Sequence, residues 1–253
     1  MCLILFSWRQ RADIPLLLAA NRDEFHARPS RAAGFWPEHP EVLAGRDLQA
    51  GGTWLGLTRG GRFAAITNFR DPSRTRPAPR TRGELTLNFL LSGQSAAAYI
   101  SDIRRHEADY AGFNLLLGDG QALWYYSNTG GGAQQLAPGT YGLSNALLDT
   151  PWPKVELGRA AFAPVPSTSP SHEQLAAALA DRSIASEAGL ALQGLEGEME
   201  RGLSAQFIVD PVYGTRATTT LWLGADGDCN FREIRYDNRG EESGRTEETF
   251  RST

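Results

Sequence analysis

The chain has 253 residues, a formal net charge of −4 and a hydrophobic fraction of 41%. That length can bury the core of one large domain, and a charge so near neutral gives no general attraction to nucleic acid or to an anionic membrane. No apolar run approaches the roughly 20 residues that span a bilayer, and the first residues lack the basic leader of a secretory signal. The two cysteines are too few for a disulfide framework, which favours a reducing, cytoplasmic setting.

The first two dozen residues predict a hairpin of two buried strands, residues 3–8 and 15–22, joined by a short polar link. Such a hairpin returns the end of the second strand to the start of the first. We therefore expect Cys2 to lie beside Arg22 and Asp23. If the second strand continues through these two residues, their side chains point to opposite faces.

The rest of the chain alternates between strand and helix patterns. Residues 25–49, rich in Pro, Arg and Gly, predict a long irregular connection that could act as a lid. A second irregular stretch, residues 69–82, carries five arginines. Helical spacing of apolar residues predicts two helices within 85–103, and residues 183–203 predict a partly helical surface excursion. Further helices are predicted at 152–162 and 172–182, and further strands at 53–58, 62–68, 113–118, 122–127, two short segments before 145, 205–210, 217–224, 230–236 and 246–251.

This order of elements, with runs of strands followed by runs of helices, favours an α+β class over alternating βαβ units. Sheets that are apolar on both faces can be covered by helices on one side and by a second sheet on the other. The sequence therefore predicts a four-layer αββα sandwich. No boundary divides the chain, so we expect a single domain over residues 1–253.

Cys2 is the first candidate for chemistry, because removal of Met1 would place its thiol and a free α-amine on one carbon. An α-amine has a pKa of about 7.7–8.0 and can serve as the base that activates the thiol. Arg22 could raise the thiolate fraction, and Asp23 could hold or orient the amine. The competing interpretation is that Cys2 is a small apolar strand residue and that the run from Asn21 to Glu24 only caps a turn.

Three later residues suit the same site. Asn68 and Asn145 each end a predicted strand, and an asparagine amide is a suitable donor to a developing oxyanion. Arg216 precedes another strand and offers a guanidinium to a carboxylate or to the thiol. Taken alone, each of the three fits a turn residue or a surface arginine better than a site residue.

Metal and nucleotide sites are not indicated. The four histidines are scattered, and the glycine clusters lack the strand–loop–helix context of a phosphate-binding loop.

Several motifs together resemble the Asn-Arg-Asp-Glu family, which is also called the transport and Golgi organisation family. The matching segments span nearly the whole chain: Met1-Cys2, Ala20 to Phe25, Ala50 to Gly56, Thr67 to Arg70, Gly142 to Asn145, Thr150 to Lys154 and Gly214 to Arg216. More distantly, the pattern is similar to the cysteine-type choloylglycine hydrolases and penicillin V acylases.

The resemblance implies an N-terminal-nucleophile hydrolase type of fold. It also implies roles by position: Cys2 as nucleophile, Asp23 as the acid that orients the amine, Asn145 as an oxyanion donor with Asn68 as a looser second, and Arg216 as the arginine near the thiol. The acylases usually carry arginine three residues before the aspartate, where this chain has Ala20.

Two functions remain open from the sequence. The first is a hydrolase that cleaves an amide-type C–N bond through Cys2, with a small-molecule substrate and no cofactor. The second is a non-catalytic carrier of haem or an acyl-CoA-like ligand, as family relatives suggest. In that case the arginine-rich loop would bind carboxylates or phosphates, and Trp8, Trp36 and Trp54 would line the mouth. A weaker third alternative is an interaction scaffold with a disused site.

Overall fold

Two antiparallel sheets form the centre of the fold in a computed structural model that describes residues 2–71, 78–167, 169–195 and 197–252. The first sheet has the strand order β10-β1-β2-β11-β12-β13, and the second has the order β3-β4-β5-β6-β7-β8-β9. In chain order the strands are β1 (Cys2–Trp8), β2 (Leu16–Phe25), β3 (Ser30–Trp36), β4 (His39–Asp47), β5 (Leu55–Thr58), β6 (Phe63–Asn68), β7 (Phe113–Gly118), β8 (Leu123–Ser127), β9 (Gly132–Gln135), β10 (Gly139–Leu143), β11 (Tyr213–Leu223), β12 (Asp228–Tyr236) and β13 (Glu242–Arg251).

The helices are short and lie outside the two sheets. Ser95, Ser171 and Ser186 each cap a helix by accepting a backbone N–H in its first turn. None of the helices in the described ranges is long and apolar enough to cross a membrane. The α-helices are α1 (Gly83–Leu91), α2 (Ala96–Ile103), α3 (Pro153–Phe162), α4 (His172–Ala177) and α5 (Glu187–Leu192), with 3-10 turns at Glu107–Asp109, Val165–Ser167 and Glu198–Ser204.

Three apolar layers hold the elements together. One lies between the two sheets and includes Phe6, Leu18 and Leu116. The second joins the second sheet to α1 and α2, and the third joins the first sheet to α3 and α4. The layers therefore run helices, sheet, sheet, helices, which confirms the predicted α+β, four-layer αββα sandwich.

The prediction of an irregular connection over residues 25–49 was wrong. Most of this segment forms the hairpin of β3 and β4 at one edge of the second sheet. The hairpin has three physical supports: Val42, Leu43 and Ala44 are buried on two faces, Trp36 pairs with His39 across the turn, and the Glu233 carboxylate accepts the backbone N–H of Ala33. The prolines and arginines of this segment indicated a loop, but an edge strand also tolerates these residues.

Two other segments differ from prediction. Residues 205–210 form no strand: residues 205–207 bend, and the backbone bonds of the segment go to the chain around it, from Phe207 N–H to the Asp181 carbonyl and from Ile208 N–H to the Thr215 hydroxyl. Helix α4 ends at Ala177, well short of residue 182. The excursion over 183–203 is partly helical, as predicted, with α5 and a 3-10 turn.

Candidate active site

The predicted N-terminal hairpin is confirmed, and it sets the geometry of the site. Strands β1 and β2 pair in antiparallel register with Cys2 opposite Arg22. Directly opposed residues point to the same face, so both side chains lie on the face that packs between the two sheets. Asp23 lies on the other face of β2, toward the helices, where it pairs in register with Thr215 of β11.

Asn145 joins the start of β1 to the second sheet. Its side-chain Oδ1 accepts a hydrogen bond from the backbone nitrogen of Cys2 at 3.0 Å. Its Nδ2 donates to the backbone carbonyl of Asn68 at 2.8 Å, at the end of β6. The Ser144 hydroxyl donates to the Cys2 carbonyl at 2.8 Å. Asn145 is 1% exposed, so its bonds hold the Cys2 nitrogen in a well-defined position.

Asp23 is held from the helix side of the first sheet. The hydroxyl of Thr215 donates to Asp23 Oδ1 at 2.7 Å and in turn accepts the backbone N–H of Ile208 at 2.9 Å. The carboxylate is 4% exposed, and burial raises its pKa, while the nearby charge of Lys154 and the bond from Thr215 lower it. Asp23 is thus a buried acid whose charge acts on Cys2 at the start of β1.

A small cavity of about 120 Å³ opens at this end of the sheets. Cys2, which is half-buried, reaches it together with the side chains of Arg22 and Asn68. The side-chain amide of Asn68 is exposed and makes no hydrogen bond within the described part of the chain, so its two N–H donors remain available to a ligand. The remaining lining residues are Asp23, Glu24, Arg28, Asp47, Thr53, Trp54, Ile66, Thr81, Arg82 and Gly83.

Burial raises the pKa of the Cys2 thiol, and the charge of Asp23 adds to the increase. A hydrogen bond from the Asp23 backbone and the charge of Arg22 act in the opposite direction, but burial outweighs them. The thiol is therefore protonated at neutral pH in this environment. A nucleophilic role then requires a base that removes the proton as the attack begins.

Lys154 is a buried cation that the sequence reasoning did not place in the site. It is 2% exposed on α3, and its Nζ donates to the Leu203 carbonyl at 2.9 Å. Burial lowers its pKa to about 8, against the raising effect of the negative charge of Asp23 and of Cys2 when its thiol is ionised. The signal that could have found it is compositional, because Lys154 is the one lysine in a chain whose other basic residues are arginines.

Arg216 occupies a β-bulge between Thr215 and Ala217 and does not line the cavity. Its guanidinium donates to the carbonyls of Phe25 and Arg28 at 2.8 and 3.2 Å, which secures the turn after β2. The structure brings five of the predicted site residues together around the start of β1 and leaves Arg216 outside the cavity lining. The five are Cys2, Arg22, Asp23, Asn68 and Asn145.

The tryptophans do not share one mouth. Trp54 lines the cavity, whereas Trp8 lies at the far end of β1 and lines a different pocket. Trp36 is buried and donates to the Ala44 carbonyl within the second sheet.

The arginine-rich loop lies partly outside the described residues, including Arg74 and Arg76. Its described arginines bind groups of the protein itself. Arg70 pairs with Glu200 at 3.0 Å, and Arg80 pairs with Glu84 at 2.6 Å. Across the described ranges, no three side chains of His, Cys, Asp or Glu gather closely enough to hold a metal ion.

Residues 1–238 match the family model described as Transport and Golgi organisation 2. The chain belongs to this family. It is 38% identical to the Transport and Golgi organization protein 2 homolog of Bos taurus over 255 residues, covering 92% of each chain. The Homo sapiens homolog is also 38% identical, and the Drosophila melanogaster protein of that name is 29% identical over 64% of each chain.

Among solved structures, the Caenorhabditis elegans N-acylethanolamine-hydrolyzing acid amidase ortholog aligns at 6% identity with a TM-score of 0.39. The alignment covers 71% of this chain and 86% of that one.

Proposed function

We propose that this family member is a hydrolase that cleaves an amide-type C–N bond with Cys2 as nucleophile, after Met1 is removed. One observation carries the proposal: Asn145 Oδ1 holds the backbone nitrogen of Cys2, and Cys2 itself lines the small cavity. Once Met1 is removed, that nitrogen becomes an α-amine. Because it donates to Asn145, its lone pair is left for the thiol proton.

The first half-reaction forms an acyl-enzyme. The α-amine takes the thiol proton, and the sulfur attacks the carbonyl carbon, so that a C–S bond forms. The side-chain amide of Asn68, which lines the cavity, donates to the oxyanion, because Asn145 is not part of the lining and has one amide hydrogen bonded to the Asn68 carbonyl. The negative charge of Asp23 stabilises the ammonium, which then gives its proton to the leaving nitrogen as the C–N bond breaks.

The second half-reaction returns the enzyme to its starting state. Water attacks the thioester carbonyl and passes a proton to the α-amine. The C–S bond breaks, and the sulfur recovers its proton from the ammonium. The products are a carboxylic acid and an amine, which together account for the amide and one water. The protonated resting thiol suits this cycle, because the base lies on the same residue as the nucleophile.

Turnover of a panel of short acyl p-nitroanilides tests the proposal. Wild-type protein is expected to release nitroaniline, and Cys2→Ala is expected to release none while it keeps the wild-type melting temperature. The buried second cysteine supplies the control, because Cys229→Ser should turn over at the wild-type rate. Equal rates for wild type and Cys2→Ala would contradict a nucleophilic Cys2.

A second candidate function, a carrier of haem or an acyl-CoA-like ligand, is favoured by a separate pocket of about 490 Å³. This volume lies in the range of ligand pockets, and much of the lining is apolar. Phe25 and Val212 are exposed at it, and Arg182 lies over the Phe207 ring at 4.8 Å. Titration with haem and with a fatty acyl-CoA tests this function. The carrier role predicts saturable binding that Val212→Asp weakens and Cys2→Ala does not.

A further inference from the structure

Arg22 is a buried cation that makes no ion pair with the residues that the structure describes. Arg22 is only 7% exposed, and its guanidinium carbon lies 4.1 Å from the centre of the Trp54 ring. Within the described part of the chain, no Asp or Glu oxygen lies within salt-bridge distance of it, and it makes no hydrogen bond. Burying a charge in this way is costly unless a partner compensates it, so the position is one that an incoming anion would stabilise.

The other charged groups of the cavity already have partners. Arg28 pairs with Asp47 at 2.6 Å and with Glu24 at 3.7 Å. Asp23 accepts the Thr215 hydroxyl, and Arg82 donates to the Gly112 carbonyl at 3.0 Å. Arg22 therefore contributes a positive charge that no ion pair or hydrogen bond of the described residues holds, although the charges of Glu24 and Asp47 act on it from a distance. It lies on the same face as the Cys2 thiol.

We propose that Arg22 is an anion subsite of the Cys2 cavity, and that the group it binds is a carboxylate or similar oxyanion on the molecule that meets the thiol. A guanidinium presents a planar fork that matches a carboxylate in a bidentate contact. The cavity of about 120 Å³ is small compared with the usual ligand pocket, so we expect the anionic group that it takes to be a short one. The statement that this molecule is a substrate rests on the proposed hydrolase function. The statement that the cavity selects an anion is independent of that function.

Two alkylating reagents of nearly equal size test the subsite. Iodoacetate and iodoacetamide both lose iodide to the same thiolate, but only iodoacetate carries a carboxylate. The ratio of their rates at Cys2 therefore cancels the thiolate fraction and reports only how the cavity treats the negative charge. A Cys229→Ser background leaves Cys2 as the single thiol, and the same chain unfolded in urea gives the reference ratio.

The folded protein is expected to raise the iodoacetate-to-iodoacetamide ratio about tenfold over the unfolded reference, the value of one charge-assisted hydrogen bond. Arg22→Gln should return the ratio to within about twofold of the reference. Arg82→Gln is the matched control, because Arg82 lines the same cavity but donates to Gly112. A folded ratio no higher than the unfolded one, or an equal loss in both variants, would overturn the proposal.

Protection experiments on the unmodified chain keep the proposal testable even if Arg22→Gln does not fold. Succinate at constant ionic strength should slow alkylation of Cys2 by neutral iodoacetamide in a saturable way. Stronger protection by inorganic phosphate would assign the oxyanion to a phosphoryl group, and absence of protection by both would count against the subsite. If the ratio is raised but amides are not turned over, the subsite stands and the hydrolase function fails; the reverse result means a neutral substrate.

Discussion

Lys154 places the single ε-amine of the chain in the buried layer beside Asp23, and this makes its ionisation directly measurable. Burial lowers its pKa to about 8, and the charged groups that act on it are Asp23, Cys2 and Arg70. Lysine labelled with ¹³C next to Nζ gives one signal, whose titration should show this value. Asp23→Asn should lower the pKa further, because the opposing negative charge is lost. A midpoint near the ordinary value of about 10.4 in both proteins would contradict the buried pairing.

The same residue predicts how stability depends on alkaline pH. The folded-state pKa of about 8 lies below the unfolded value, so between these two values the unfolded chain binds more protons than the folded one. The free energy of unfolding should therefore contain a part that increases with pH above about pH 8. Lys154→Met should remove this part. Urea titrations of both proteins across this range measure the difference, and parallel curves would exclude the effect.

At the scale of elements, the turn before β5 and the start of α1 approach so closely that only glycine fits. Gly52 has a φ of 76°, and a Cβ on it would lie 2.3 Å from the Gly83 carbonyl oxygen. The same carbonyl accepts the Thr53 N–H at 3.1 Å, and Thr53 and Gly83 both line the cavity. The glycine pair in the family motif thus brings α1 against the active-site end of the second sheet.

Neighbouring glycines separate the cost of strain from the cost of collision. Gly51 also has a positive φ, of 72°, but nothing lies within 4 Å of its Cβ position. Gly51→Ala should cost about 1–2 kcal/mol of unfolding free energy from backbone strain alone. Gly52→Ala should cost at least about 2 kcal/mol more, since backbone must move. Urea unfolding measures both, and equal costs would show that the close approach does not constrain the fold.

At the scale of the whole molecule, His172 couples the helix layer to the first sheet in a pH-dependent way. Its Nδ1 lies 2.7 Å from the Thr220 hydroxyl, and its ring packs at 4.5 Å from that of Trp222. Burial, together with the charge of Arg232, lowers its pKa to about 4, while Glu173 and Glu247 act in the opposite direction. The neutral imidazole is therefore the form that the folded protein favours.

The unfolded-state pKa of histidine is about 6.5, so His172 contributes stability that is present above this pH and lost as the pH falls toward 4. Because the ring is only half-buried, the loss should be about 1–2 kcal/mol by pH 4.5. His172→Gln keeps a hydrogen-bonding side chain without titrating and should remove this part of the acid slope. Identical slopes for the two proteins between pH 6.5 and 4.5 would contradict the assignment.

The sequence predicts the parts of this molecule that local interactions along the chain determine, and it does not predict the parts that depend on contacts between distant residues. The hairpin that sets Cys2 opposite Arg22 follows from apolar periodicity and a short link, and the four layers follow from the order of elements. The β3–β4 hairpin could not be predicted, because its support comes from burial against β5 and from Glu233, distant in sequence. The bonds of Asn145 and the burial of Lys154 likewise depend on tertiary packing. The single-domain and cytoplasmic assignments stay predictions.

The mass of the intact protein after incubation with an activated acyl donor shows whether Cys2 forms an acyl-enzyme. We predict a chain that begins at Cys2 and carries one acyl group on its thiol, a mass increase that hydroxylamine reverses and that Cys2→Ala abolishes. A chain that retains Met1 and gains no acyl group would contradict a nucleophilic Cys2, because the nitrogen held by Asn145 would then be an amide without a free lone pair.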